Sequence, residues 1–253
     1  MSDINESVKI EIASTDAIAY APITVSPTSV MFSSSGGSKT ISVSCQDTSW
    51  SAGGGSTWCT IEKTSSTTAK ITVTSHRASK NSYVAGRGMG VVCFNGSQTA
   101  WINVDQEDDA YYDRSDKTTF YKQPAGACAF TCGAMCVHIS PETLQNKYGL
   151  DPYLANWAGI AKAGNMTATV DTNGNLRKVY DILKEGYPVI AHINSSQDHW
   201  VVICTFRGVP SDLNHGDFSC LDPNKTSTII PLTSATRYNK SELDKAFTIV
   251  VFR

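Results

Sequence analysis

The feature that most limits how this chain can fold is a change of pattern near residue 110. Before it, apolar and polar residues alternate in short runs. A period of two places successive side chains on opposite faces of a strand. By this reading "ITVSPTSVMF", "SKTISVSC", "AKITVTS", "MGVVCFNG" and "TAWINVDQ" are strands. "SSSGGS", "AGGGS" and "NG" between them are turn chemistry. Short strands at regular spacing with Gly-rich turns predict an N-terminal all-β antiparallel sandwich.

After residue 110 the spacing becomes helical. "SPETLQNKYGL" and "DPYLANWAGIAKAG" each open with a capping residue followed by Pro, the pair favoured at a helix start. "NLRKVYDILKEGYPVIAHI" reads as a helix, a Gly stop and a strand. "HWVVICTF", "DFSCLDP" and "FTIVVFR" read as further strands. Helices first and antiparallel strands after is a C-terminal α+β layout. "EDDAYYDRSDKTTFY" between the halves is polar and acidic and reads as a linker. The expected organisation is an N-terminal extension over 1–21, a β-sandwich over 22–107, a linker over 108–117 and an α+β domain over 118–253.

With 41% apolar and 17% charged residues, the 253-residue chain has a globular composition. A net charge of -2 without a basic run argues against nucleic acid as a partner. No apolar run approaches the roughly 18 residues of a membrane span. "MSDINESVKIEIAS" has no basic leader or apolar core, so no secretory signal is expected there. The protein stays where it is made, or its export signal is missing from this sequence, or it leaves by another route such as a virus particle; an extracytoplasmic or phage-particle location is expected, with the cytoplasm as the alternative.

The eight cysteines lack the spacing of a disulfide scaffold, and mostly free thiols are expected. Cys128, Cys132 and Cys136 recur every four residues in "GACAFTCGAMCV". On a helix they would climb about 12 Å, too far apart to share one metal ion. No metal or cofactor is expected. Position separates the three. Cys128 falls where a Gly-containing turn meets a helix start, and the N–H groups and dipole there favour an anion. Cys132 and Cys136 fall one and two turns inside, as packing residues.

A cysteine nucleophile needs a base and a group to orient it. His76 belongs to the first half, His138 sits on the cysteine helix facing elsewhere, and His215 falls in a polar loop. His199 opens an apolar strand and is the preferred base, with His192 as its rival. Asp222, at a strand end before Pro, is the candidate orienting group, with Asn224 as competitor. Gln123, five residues before Cys128, is the candidate oxyanion donor together with the Cys128 backbone N–H.

Two resemblances rest on these residues. "VSPTSVMFSSSGGSKTISVSC", "WSAGGGSTWCTI", "AKITVT" and "GRGMGVVCFNGSQTAWINVDQ" resemble a BACON domain (Bacteroidetes-associated, carbohydrate-binding, often N-terminal) over about 22–107. The paired Trp50 and Trp58 and the closing V-x-Q carry most of that likeness, and Cys59 departs from it. The resemblance implies an Ig-like sandwich, either with a glycan-binding role for which Trp50 and Trp58 are the candidates, or as a spacer or docking module whose tryptophans are core residues.

The order Gln123, Cys128, His199, Asp222, with "TCGAM", "LKEGYPVI", "HWVVI" and "DP", resembles the papain-like cysteine peptidases over about 118–253, closest to their bacteriocin-processing branch. It implies hydrolysis of a peptide or protein substrate by a Cys-His-Asp triad without a cofactor. The family often has Cys-Gly at the nucleophile. Here that pair is Cys132-Gly133, so a slip of one turn would make Cys132 the nucleophile. Two other functions fit the same residues: a phage-borne hydrolase of peptidoglycan amides, and a non-catalytic phage attachment protein carrying a retired peptidase fold.

Overall fold

A computed structural model describes residues 22–46 and 48–253. The expected N-terminal extension, 1–21, lies outside the described residues. The described residues are mostly β-sheet, with two eight-stranded sheets and few helices, and they divide into two compact units. Among the described residues no helix is long and apolar enough to cross a membrane.

The first unit comprises the strand residues before Met31, then Ser38–Val73 and Met89–Val104. Its strands are β1 (Ile23–Ser26), β2 (Ser29–Phe32), β3 (Gly37–Cys45), β4 (Ser51–Ser56), β5 (Cys59–Lys63), β6 (Thr68–Val73), β8 (Arg87–Asn95) and β9 (Gln98–Gln106), some ending just beyond it. They pair in the order β1-β3-β6-β5-β4-β8-β9-β2. Alternate residues point inward, so Ile41, Val43, Ile71, Val73, Val91, Cys93, Ile102 and Val104 fill the core. Trp50 is a core residue too, only 1% exposed, and its indole N–H donates to the Ser66 carbonyl at 2.6 Å. It presents no free ring face, which corrects its place as a binding candidate. Trp58 is half-buried.

The "AGGGS" cluster, expected as a turn, is strand β4. The glycines are there because neighbours occupy the space of a side chain. A Cβ on Gly53 would lie 3.2 Å from the Phe94 ring, and one on Gly55 only 2.6 Å from the Cys59 carbonyl oxygen. Composition alone makes such a run look like a turn, because Gly has no side chain to show its burial.

The second unit joins Met31–Gly37, Thr74–Gly88 and Asp105–Arg253. Its sheet runs β11 (Ala168–Gly174), β16 (Phe247–Phe252), β12 (Val189–Asn194), β13 (His199–Gly208), β10 (Asp109–Asp113) and β7 (Ser82–Val84); β14 (Phe218–Leu221) also pairs with β13, and β15 (Ile230–Pro231) with β14. Residues 109–113, expected in a linker, are thus a strand between β7 and β13. The acidic look of "EDDAYYD" concealed its alternation. Ala110 and Tyr112 enter the core, while buried Asp109 accepts from Ser34 Oγ at 3.1 Å and from the Ala78 N–H at 2.8 Å. His76, assigned by sequence to the first half, also lies in this unit, and its Nε2 donates to the Ala85 carbonyl at 3.0 Å.

Five helices accompany this sheet: α1 (Cys128–Val137), α2 (Pro141–Tyr148), α3 (Trp157–Ala163), α4 (Leu176–Glu185) and α5 (Lys240–Leu243). The sheet is buried on both faces. Trp200, Val202 and Cys204 of β13 pack with α1, α2 and α3, whereas Val201 and Ile203 pack with α4 and Leu243 of α5. A strand covered on both sides reads as one apolar run, as "HWVVIC" does. Ser140 caps α2 by accepting from the Thr143 N–H at 3.1 Å, as its Ser-Pro start predicted. The Asp-Pro start behaves differently. Asp151 closes a local turn by accepting from the Tyr153 N–H at 2.8 Å, and α3 begins only at Trp157, capped by Asn156. An Asx turn competes with a helix cap for the same carboxylate.

Candidate active site

Helix α1 begins at Cys128 itself, after Gly126 at φ 79°. That placement separates the three cysteines as their spacing predicted. Cys132 is fully buried, and burial pushes its thiol well above the usual range, with Cys128 and Cys136 adding to the effect. Burial raises Cys136, Cys204 and Cys220 as well. A thiol held that way stays neutral and packs as a small apolar group. All eight cysteines are free.

Strand β13 begins at His199, which is 2% exposed. Its Nε2–H donates to Asp222 Oδ1 at 3.0 Å. Asp222 stands immediately after β14 and is fully buried. It also accepts from the backbone N–H of Asn224 at 2.9 Å and of Thr236 at 2.6 Å. A buried carboxylate would ordinarily resist ionisation. Here burial pushes the Asp222 carboxyl up, but the hydrogen bonds from His199, Thr236 and Asn224 outweigh it and hold the value down at about 2. Asn224, the sequence competitor, is exposed and supports Asp222 through its backbone.

Burial also lowers His199, but the hydrogen bond to Asp222, a hydrogen bond to Cys128 and the charges of both push it up to about 9. With Nε2 committed to Asp222, Nδ1 is the nitrogen left for the sulfur. The Cys128 thiol donates to the Asp198 carbonyl, the residue before His199, at 3.3 Å. Gln123 is tied to the same cluster, its backbone N–H donating to the Pro223 carbonyl at 3.0 Å. Its side-chain Oε1 is buried without a partner among the described residues. The two ends of a carboxamide interchange on a half-turn about its last torsion, so this group can present either a donor or an acceptor.

The rival histidines have other settings. His192 stacks on Trp200 at 4.3 Å between centroids and 4° between planes, and burial lowers its imidazole below the ordinary value. His215 is buried and not in a polar loop as expected: its Nδ1 pairs with the Tyr238 hydroxyl at 2.5 Å and its Nε2 lies 3.3 Å from Asp244. His138 is the left-handed residue that ends α1, paired with Thr119 at 2.7 Å.

Sequence reasoning missed Asp198, Trp200 and Thr236. Thr236 acts through its backbone N–H, which leaves no residue-type signal. The polar step "QDH" before an apolar strand was the available sign for Asp198.

The pH dependence of stability follows from the two shifts. His199 is raised from 6.5 to about 9, so its contribution is complete below about 6.5 and is lost as pH rises through about 9. Asp222 is lowered from 3.8 to about 2, so its contribution is complete above about 3.8 and is lost as pH falls through about 2. Melting temperature measured against pH is expected to plateau between about 4 and 6.5 and to fall on the alkaline side towards 9. In Asp222→Asn the alkaline fall should be smaller and end at lower pH, because the carboxylate that raises His199 is gone. Comparison of the sequence with known protein families and with curated proteins finds no match.

Proposed function

We propose that the second unit is a papain-like cysteine hydrolase of peptide bonds and that the first is a BACON-like sandwich serving as its docking module. One observation carries the catalytic reading. A buried His199–Asp222 pair at 3.0 Å stands beside a cysteine at the first position of a helix, whose sulfur lies 3.3 Å from the carbonyl of Asp198. A buried imidazole held above its ordinary value by a carboxylate and a thiol is an arrangement suited to taking the proton of that thiol.

In the proposed reaction the proton moves from Cys128 to Nδ1 of His199. The thiolate attacks the substrate carbonyl carbon, a C–S bond forms, and the π electrons pass to oxygen. The Cys128 backbone N–H and the Gln123 carboxamide stabilise that oxyanion. As the tetrahedral centre collapses, the C–N bond breaks and His199 gives its proton to the departing amine. Water then attacks the thioester, His199 takes a proton from it, and the C–S bond breaks to release the acid and the thiolate. Asp222 holds one tautomer throughout and stabilises the imidazolium.

The test is chemical and needs no known substrate. An iodoacetamide probe followed by mass spectrometry should label Cys128 well before the seven other cysteines. Preferential labelling of Cys132 would overturn the assignment, and equal labelling of all eight would overturn the active thiol. Hydrolysis of casein against purified peptidoglycan then separates a peptidase from a cell-wall amidase. Gln123→Ala is expected to lower kcat about 10²–10³-fold with KM nearly unchanged, because the lost donor serves the oxyanion and not the ground state. Steady-state kinetics on the substrate found would show a rise in KM alone if Gln123 were only a wall.

A further inference from the structure

Asp198 has no part in the triad, yet its position is the most constrained on the rim of this site. It adopts φ 45°, a left-handed conformation that non-glycine residues seldom hold and that Asp and Asn tolerate best. Its side chain is 77% exposed but fixed in direction. Trp200 Nε1–H donates to its Oδ1 at 3.1 Å, and His192 Nε2 stands 3.2 Å from the same oxygen. The Trp200–His192 stack behind it is nearly parallel. Two aromatic rings therefore aim one exposed carboxylate, while the same residue's carbonyl touches the Cys128 sulfur. Carbonyl and carboxylate belong to one residue, so the carboxylate lies within about 8 Å of the sulfur by standard bond lengths.

Among the described residues no Lys or Arg forms an ion pair with that carboxylate. Burial lowers His192, which leaves it neutral near pH 7. Arg237 is turned to the neighbouring Gln197 carbonyl, at 2.5 Å. Glu242 adds a second carboxylate to the same turn, accepting from the N–H and hydroxyl of Ser195 at 2.5 and 2.8 Å. Lys245 lines the cavity of about 310 Å³ that His192, Ser195 and Glu242 share.

The chemistry sets which half of a substrate meets this rim. The imidazole that protonates the leaving amine must stand on the leaving-group side of the sulfur. Asp198 is joined directly to His199, and Trp200 and His192 continue the same edge. We infer that Asp198 is a specificity-determining residue that selects substrates with a cationic side chain, Lys or Arg, just after the cleaved bond. The inference rests on the cysteine hydrolase reading above.

Two measurements test it, one of which needs no hydrolysis. In the first, casein is digested and the new N-termini are sequenced by mass spectrometry. Wild-type protein should yield Lys or Arg at the new N-terminus about fivefold above their frequency in casein, with the excess falling at high salt. Asp198→Asn should lose that excess, since Asn keeps both the left-handed backbone and an oxygen for Trp200. No excess in the wild type, or the same excess in the variant, overturns the inference. In the second, Cys128 is modified with the cationic 2-aminoethyl and the anionic 2-sulfonatoethyl methanethiosulfonate. Attack of the thiolate on the reagent sulfur forms a disulfide and releases methanesulfinate. The cationic-to-anionic rate ratio should be about tenfold higher in wild type than in Asp198→Asn, as one charge at this range in a largely aqueous setting implies. Equal ratios overturn the inference whether or not the protein cuts peptides. A tenfold shift without any casein cleavage overturns the peptidase reading, and with it the substrate half of this inference, while the field of Asp198 at the sulfur stands.

Discussion

Cys128→Ala should abolish hydrolysis, lowering kcat/KM at least about 10⁴-fold, while Cys132→Ala should retain activity within about threefold. The two residues have the same chemistry and lie one turn apart, so the contrast isolates position. Cys128 is the first residue of α1, with the imidazole of His199 held toward it. Cys132 is surrounded by core and its thiol is pushed well above the usual range by burial. The cost of Cys132→Ala should appear as stability, roughly 1–2 kcal/mol, because a sulfur leaves a close-packed site. Cys128, 4% exposed and in the same apolar cluster, should lose stability of the same order when cut to Ala, so activity and not melting separates the two variants. Paired kinetics and thermal unfolding of the two variants check this. Activity lost in Cys132→Ala and kept in Cys128→Ala would move the nucleophile by one turn.

Asp222→Ala is expected to be the most damaging single change in the second unit. It removes the acceptor for three N–H groups, those of His199, Asn224 and Thr236, from a fully buried position. Donors left without partners, that of His199 on a ring only 2% exposed, cost about 3–5 kcal/mol together. Activity should fall with stability, which makes this variant ambiguous about mechanism. Asp222→Asn resolves it. The amide keeps the shape and an oxygen, so the fold should survive, but its NH₂ can face Nε2 and favour the tautomer that leaves the wrong nitrogen for the sulfur. A loss of about 10³–10⁴ in kcat with the fold intact, read by circular dichroism and single-turnover rates, is the expected result. If Asp222→Asn were within tenfold of wild type, Asp222 would be structural only.

Much of the local structure was legible because its causes are local. Alternation over 99–106 marks strand β9, the apolar run over 247–252 marks β16, and Ser140-Pro141 marks the start of α2. Gly186, left-handed at φ 110°, ends α4 where the "EGYP" step predicted. Failures arose where a partner distant in sequence decided the outcome. "AGGGS" is a strand because Phe94 and the Cys59 backbone occupy the space beside its glycines. Residues 109–113 are a strand because β7 and β13 flank them, and Asp109 tolerates burial only because Ser34 and Ala78 supply donors. Trp50 became core because Ser66 supplies an acceptor for its indole.

The candidate site divides along the same line. The sequence by itself determined the residue types, their order and the position of Cys128 at a helix start, because spacing and turn chemistry act within a few residues. It also ranked Cys128 above Cys132 and Cys136, since a helix has only one positive end. Only the tertiary structure decided that Asp222 accepts from His199, that Pro223 draws Gln123 to the same cluster, and that Asp198 is aimed by Trp200 beside the sulfur. His199 and Asp222 are 23 positions apart, Cys128 and Asp198 70, and Gln123 and Pro223 100, and the last two contacts use backbone groups; neither long-range proximity nor a backbone group is written in residue type.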